Sequence, residues 1–258
     1  MRPEGDVRGP GTGAPVLEAR GLVKVFSRYR ALDGVDLAVH RGELLGIIGP
    51  NGSGKTTLFH CLSGVLAPSA GRVWMEGVEV TASPPWHRAR RGMARTFQIP
   101  LLFPRLSVRE NLLVAGQEHR GPLPARFVQW GERALRRQAD ELLAFLGLEE
   151  VAQAPAGHLS FGQQKLLDLG MALMGAPRIL LLDEPLGGVS PALGSALLDR
   201  IRALHRGGLT VLLIEHDMDA VMELCDRVAV LDHGTKIAEG PPAVIQEDPA
   251  VLSAYLGE

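Results

Sequence analysis

Two short stretches concentrate the residue types that handle phosphate. GPNGSGKT, Gly49 to Thr56, follows the apolar run LLGII and precedes TTLFHCLSGV. It matches the pattern G-x-x-x-x-G-K-[ST], in which glycines let backbone N–H groups converge on a phosphate. Gly49, Pro50, Asn51, Gly52, Ser53 and Gly54 would form the loop. Lys55 would set a point charge between β- and γ-phosphates, and the Thr56 hydroxyl could ligate Mg²⁺. The second stretch, ILLLDEP (Ile179 to Pro185), ends an apolar run in two adjacent acids. Asp183 suits a Mg²⁺ ligand and Glu184 a water-activating base. Neighbouring strand residues face opposite sides, so both acids act together only beyond the strand, where Pro185 marks a turn.

Other residues have two readings from their local chemistry. His216 closes the apolar run LTVLLIE, where an imidazole either hydrogen-bonds a γ-phosphate or is a helix cap or core-satisfied residue. Gln98, in RTFQ, is either a Mg²⁺ or water contact that moves with the segment after it, or an ordinary polar residue. Phe26 either stacks on an adenine or belongs to the core. LSFGQQ, Leu159 to Gln164, carries a hydroxyl, a glycine and an amide directly ahead of the apolar pattern KLLDLGMALM. That is the pattern of an anion-binding helix N-terminus, but it holds no lysine.

The elements needed to position these groups follow from periodicity. VLEARGLVKVF and ALDGVDLAVHRGE alternate and turn like an antiparallel layer, and LLGII reads as a fully buried parallel strand. TTLFHCLSGV is a helix ended near Gly64, and GRVWMEGVEV a strand and turn. Ser107 and Glu110 have capping-box spacing ahead of a helix, and Arg126 to Phe145 continues in helical spacing. The middle of the chain is therefore expected to be a helical subdomain at about 100–165, inserted between two α/β halves. RILLLDEP and LTVLLIEH then read as buried strands, Ser190-Pro191 as the opening of a helix, DMDAVMELC as another helix, and RVAVLDHGTKIAEG as a hairpin.

Composition narrows the class. Of 258 residues 46% are hydrophobic and 22% charged, which suits a globular chain with a sizeable core. A net charge of −2 leaves no global footprint for nucleic acid. No apolar run approaches the ~18 residues needed to span a bilayer. Residues 1–15 are Gly- and Pro-rich, lack the apolar core of a signal peptide, and read as a disordered leader before a single domain at 16–258. Cys61 and Cys225, far apart in apolar helical patterns, read as buried reduced thiols.

GPNGSGKT, RTFQ, LSFGQQ, ILLLDEP and LLIEH, in this order and spacing, resemble the nucleotide-binding subunit of ABC transporters from Val16 onward. The resemblance implies an α/β P-loop NTPase (RecA-like) core with an antiparallel β layer and an inserted helical subdomain. It makes Phe26 the adenine-stacking aromatic, Gly49 to Thr57 (including Thr57) the Walker A loop, and Gln98 the Q-loop residue. Asp183 becomes the Walker B aspartate, Glu184 the catalytic base and His216 the switch histidine. LSFGQQ becomes the signature motif, whose Ser160, Gly162 and Gln163 serve the γ-phosphate of ATP held by a second subunit.

RTFQIPLLFPRLSVRENLLVA, the helical stretch after it, FGQQ, LIEHDM and the ending AYLGE are similar to the ATP-binding subunits of branched-chain amino-acid importers. Systems for urea uptake or lipopolysaccharide export share most of these motifs. Two departures stand out: Ser190 replaces the aspartate usual after Walker B, and Leu186 and Val189 make that loop more apolar. What the resemblance implies is an ATPase with ATP and Mg²⁺ as cofactors, working as a head-to-tail dimer with an identical or paralogous subunit. It would dock on transmembrane permeases, depend indirectly on a solute-binding protein, bind no nucleic acid, and lie on the cytoplasmic face of the membrane. From other classes, a soluble ABC ATPase of DNA work or cluster assembly would carry a basic groove or a coiled-coil insert. A small-molecule P-loop kinase would need no LSFGQQ.

Overall fold

The computed structural model describes residues 14–117 and 129–256. The leader and the start of the expected helix at Arg126 lie largely outside these residues. The chain gathers into two compact units, one holding the chain up to Arg91 and from Leu204 onward, the other Gly92–Ala203. The first contributes β1 (Leu17–Phe26), β2 (Tyr29–Val39), β3 (Leu44–Ile48), α1 (Lys55–Ser63), β4 (Ala70–Met75), β5 (Val78–Glu79) and α2 (Pro85–Arg90). The second adds β6 (Met93–Arg95), α3 (Val108–Ala115), α4 (Gln129–Leu146), α5 (Phe161–Leu173), β7 (Ile179–Asp183) and most of α6 (Pro191–Arg206). The chain then returns to the first unit with β8 (Thr210–Ile214), α7 (Met218–Leu224), β9 (Arg227–Asp232), β10 (Thr235–Gly240), α8 (Pro242–Gln246) and α9 (Pro249–Leu256).

In the first unit β1 pairs antiparallel with β2 and β4, and β5 extends that layer. The alternation in VDLAV is the cause: Val35, Leu37 and Val39 are buried while Asp36 faces out. β3 has no polar alternate because it lies between two parallel neighbours, β8 (Ile47↔Ile214) and β9 (Ile47↔Ala229), with every residue buried. β9 turns into β10 through His233 and Gly234, both at positive φ, the geometry of a tight hairpin turn. α1 ends at Gly64, left-handed at φ 80°, whose N–H bonds the Cys61 carbonyl. The two cysteines are buried and free. Two short helices, α8 and α9, follow the hairpin and were not anticipated from the sequence.

In the second unit β6 and β7 pair in parallel, Arg95 opposite Leu181. Ser107 and Glu110 form the expected capping box of α3, and α3, α4 and α5 pack together. Gly170 of α5 is required there, since a Cβ would lie 2.6 Å from Leu146 Cδ1 and 3.0 Å from Leu112 Cδ2. Asn111, fully buried in α3, holds the incoming chain: its amide accepts from Phe103 N–H and donates to the Phe103 and Ser107 carbonyls. The compact unit is wider than the expected segment 100–165, because β6 and β7 cluster with the helices and α5 continues to Leu173.

Candidate functional site

β3 delivers the chain straight into the glycine-rich loop, and the loop is built against its own unit. Gly49 has φ 145° and no room for a side chain, since a Cβ would stand 2.0 Å from the Leu231 carbonyl oxygen. Lys55, at the start of α1 and only 7% exposed, folds back so that Nζ donates to the carbonyls of Gly49 (2.8 Å) and Pro50 (3.0 Å). Ser53 N–H closes a turn onto Pro50 O, and Gly234 N–H bonds Ser53 O, tying the loop to the β9–β10 hairpin. Gly54, at φ 104°, precedes α1. Asn51, Gly52 and Thr56 are exposed, and Pro50 and Thr57 half-buried.

The Ser53 hydroxyl is the telling atom. It is buried, yet among the described residues it has no hydrogen-bond partner. A buried hydroxyl left so costs about 1–3 kcal/mol, and a glycine-rich loop ahead of a helix is the setting in which backbone amides take an anion. The loop thus fits the phosphates of a nucleotide. The exposed Thr56 hydroxyl directly after Lys55 is a hard oxygen donor of the kind that suits Mg²⁺, which takes few protein ligands and keeps phosphate and water oxygens.

Two tyrosines join this loop unannounced by any motif. Phe26 is 43% exposed at the end of β1, so it is no core aromatic, and Lys24 Nζ lies 5.1 Å from its ring centroid. Its cross-strand partner Tyr29 is also exposed, and the Tyr29 hydroxyl donates to the Gly52 carbonyl at 3.2 Å. Tyr255 of α9 places its phenol where Gly49 N–H donates to it; burial pushes the phenol's pKa up and that hydrogen bond opposes the shift. The sequence signal was available in both cases: an aromatic beside Phe26 in the hairpin, and the tyrosine of AYLGE.

His216 leaves β8 two residues beyond its end and is exposed; its backbone N–H is held by the buried Glu215 carboxylate at 3.1 Å. Because β3 and β8 are parallel neighbours, the loop starting at Gly49 and His216 emerge from the same edge of this sheet. That edge is where open α/β sheets collect their ligands.

The second unit assembles the acids. Asp183 ends β7, 5% exposed, and Arg95 of β6 grips its Oδ2 at 2.8 Å in an ion pair buried on both sides. Glu184 follows at φ 48°, a left-handed conformation costly for a residue with a Cβ. The exposed Gln98 donates from Nε2 to Glu184 Oε2 at 2.7 Å. β6 and β7 run in parallel, so Gln98 and the two acids also share one edge. Gln98, Asp183 and Glu184 are thus brought together, and Arg95 is the participant that sequence reasoning missed.

LSFGQQ is the N-terminus of α5. The exposed Ser160 is its N-cap: Ser160 Oγ accepts from Gln163 N–H at 3.3 Å, and Ser160 N–H donates to Gln163 Oε1 at 3.0 Å. Gly162 is buried against Leu193 and Val189, and its Cβ would come within 2.6 Å of Leu193 Cδ1. One turn on, the buried Lys165 donates from Nζ to the Glu184 carbonyl at 2.6 Å. Asp168, a turn further, accepts from Phe97 N–H at 3.2 Å; burial pushes its carboxyl up to about 6, against the pull of the Phe97 and Leu101 amides and of Lys165.

Residues 32–187 match the family model of the ABC transporter. The chain belongs to the ABC transporter family. It is an ATP-hydrolysing subunit of such a transporter. Residues 235–258 also match the model described as branched-chain amino acid ATP-binding cassette transporter. The high-affinity branched-chain amino acid transport ATP-binding protein BraF of Pseudomonas aeruginosa is 40% identical over 253 residues, covering 95% of this chain and 98% of that protein. LivG of Escherichia coli K12, of the same description, is 37% identical over 95% of this chain and 98% of its own. Among solved structures, the ATP-binding cassette MJ1267 in its ADP conformation superposes with a TM-score of 0.83 at 37% identity, covering 95% of this chain and all of that one. The P-loop NTPase fold expected from the motifs is therefore the fold of this subunit, and the chain binds nucleotide as its family does.

Proposed function

We propose that this subunit powers the import of branched-chain or related amino acids through separate membrane permeases, hydrolysing ATP·Mg²⁺ at two sites in a head-to-tail dimer. What supports the substrate class is likeness that extends past the ATPase motifs, to the C-terminal residues 235–258 and to relatives named for branched-chain amino-acid transport. Glu184 is the base that polarises the attacking water, aimed by Gln98 at 2.7 Å. Thr56, Gln98 and Asp183 would hold Mg²⁺, which would supply charge neutralisation for the phosphates. Lys55, His216 and the partner's Ser160, Gly162 and Gln163 stabilise charge on the transferred phosphoryl group. Gly49 to Thr57 cradle the phosphates, and Phe26 stacks on the adenine, with Tyr29 beside it.

Among the described residues no helix is long and apolar enough to cross a membrane. In this reading separate permeases carry the substrate path. Ile99, Leu101 and Phe103, all exposed just after Gln98, supply an apolar surface for docking them. The subunit then lies against the cytoplasmic face of the membrane, with a solute-binding protein acting on the far side.

The test uses Glu184→Gln, purified alone and with permeases and a solute-binding protein of the branched-chain class. The variant should keep ATP binding, accumulate an ATP-bound dimer, and lose turnover by about 10²–10⁴-fold. The wild type in the full assembly should show ATPase stimulated by leucine, isoleucine or valine. Near-normal hydrolysis by the variant would remove Glu184 from its role; stimulation by urea in place of any amino acid would reassign the cargo.

A further inference from the structure

We propose that Lys165 is a positioning residue for Glu184, and that through it the helix serving one ATP site sets the geometry of the base in the other. The inference rests on the dimeric reading above. In that reading Ser160, Gly162 and Gln163 at the N-terminus of α5 meet the partner's ATP, while Glu184 acts on the subunit's own.

The geometry joins the two within one subunit. α5 is a continuous helix from Phe161 to Leu173, capped at Ser160, so Lys165 sits a little over one turn from the cap. Lys165 is 5% exposed and its Nζ reaches the Glu184 carbonyl oxygen at 2.6 Å, with the Phe161 ring 5.4 Å away. Glu184 is the acid whose backbone needs such a hold. At φ 48° it sits in a conformation that costs a non-glycine residue about 1–3 kcal/mol and persists only where its surroundings impose it. A buried ammonium on the carbonyl of that same residue is a charge-assisted hydrogen bond at the strained peptide.

Asp168 completes the frame. It lies on the same helix, three residues beyond Lys165, and accepts from Phe97 N–H, the residue before Gln98. Gln98 in turn bonds the Glu184 carboxylate. Backbone and carboxylate of Glu184 are therefore both referred to α5, the first through Lys165 and the second through Asp168, Phe97 and Gln98. A displacement of α5 when its cap engages the partner's nucleotide moves the base with it. An ammonium chemically suited to bind phosphate is thus committed inside its own subunit.

The experiment compares Lys165→Met, Lys165→Arg and Glu184→Gln with the wild type, reading kcat and KM for ATP, the Hill coefficient, and ATP-induced dimerisation by light scattering. If Lys165 positions the base, K165M keeps KM within about twofold and, in an E184Q background, still forms the ATP-bound dimer. Its kcat falls at least tenfold and its Hill coefficient moves toward 1, while K165R restores kcat to within about threefold. A K165M enzyme with kcat within twofold of wild type overturns the inference. So does a loss of kcat that tracks lost dimerisation and is not restored by arginine. Should K165M fail to fold, K165Q, which keeps an N–H donor without the charge, is read by the same criteria. E184Q with Lys165 intact separates the two readings. If it hydrolyses ATP normally, the assignment of the base falls and takes the link with it; if it is inactive while K165M is fully active, only the link falls.

Discussion

Removing Arg95 should unfold this protein more readily than any loss of packing volume would suggest. Arg95 and Asp183 are 8% and 7% exposed at their side chains and 2.8 Å apart, so neither charge has bulk water to fall back on. Breaking a buried ion pair from one side leaves the other charge uncompensated and typically costs about 3–5 kcal/mol. Arg95→Met keeps the stem that packs beside Phe97, whose ring lies 5.2 Å from the guanidinium, and removes mainly the charge. For a chain of this size each kcal/mol moves Tm by about 2–4 °C, so a fall of roughly 6–20 °C is expected in thermal melts followed by circular dichroism. The decisive arm is Arg95→Met with Asp183→Asn. If the penalty is the stranded carboxylate, neutralising it returns more than half of the lost stability, and the double-mutant cycle shows a coupling above about 1 kcal/mol. A single variant that melts within about 2 °C of wild type, or a double variant no better than the single, refutes the electrostatic account and leaves Arg95 as packing.

Two further outcomes rest on single positions. Gly49→Ala should abolish nucleotide binding and lower Tm, because its Cβ meets the Leu231 carbonyl at 2.0 Å; Gly52→Ala, with open space but φ 81°, should cost only about 1–2 kcal/mol. Equal melting of the two by differential scanning fluorimetry would count against the clash. For Asp168 the folded carboxyl titrates near 6, above its ordinary 3.8, so the native state holds the extra proton and the group subtracts stability as pH rises through that window. Asp168→Asn should therefore gain on wild type by about 2 kcal/mol between pH 4 and pH 7.5 in urea denaturation, and a difference that does not change with pH would refute the assignment.

Much of this architecture was legible because it rests on local rules. The period of two in VDLAV, the unbroken apolar run of β3, Gly64 after α1, and Ser107 with Glu110 each specify a structure without help from distant residues. α8 and α9 carried a readable sign too, since each begins with proline at its first turn, but they are too short for periodicity to reveal them. The cations were harder. Arg88 lies in a run that also holds Arg90 and Arg91, yet it alone of the three is buried. It donates to the carbonyls of Cys61, Leu62, Val80, Thr81 and Ser83, and burial brings its pKa down to about 10. Nothing in TASPPWHRARR singles it out, because which arginine turns inward depends on where the end of α1 happens to lie. Lys165 did leave a trace: a lysine interrupting an apolar helix, in a chain whose cations are mostly arginine, needs a partner inside.

The same distinction explains why the motif residues stand out in the sequence and the residues that hold them do not. Asp183 and Glu184 are readable as a pair of acids at a strand end, but two adjacent carboxylates on a strand point to opposite faces and repel one another in a low dielectric. The structure resolves this with two devices from one segment. Arg95, in register beside Leu181, takes Asp183 at 2.8 Å, and Gln98, three residues later, takes Glu184 at 2.7 Å once φ 48° has swung it round. One acid receives a full positive charge and the other a neutral amide. That asymmetry suits the tasks proposed for them: a metal ligand held as a fixed carboxylate with one oxygen engaged, and a base whose carboxylate accepts from an amide. The β6 segment therefore holds two identical functional groups in different ways, and under the proposed mechanism a movement of Gln98 would shift the base while Arg95 keeps Asp183 where it is.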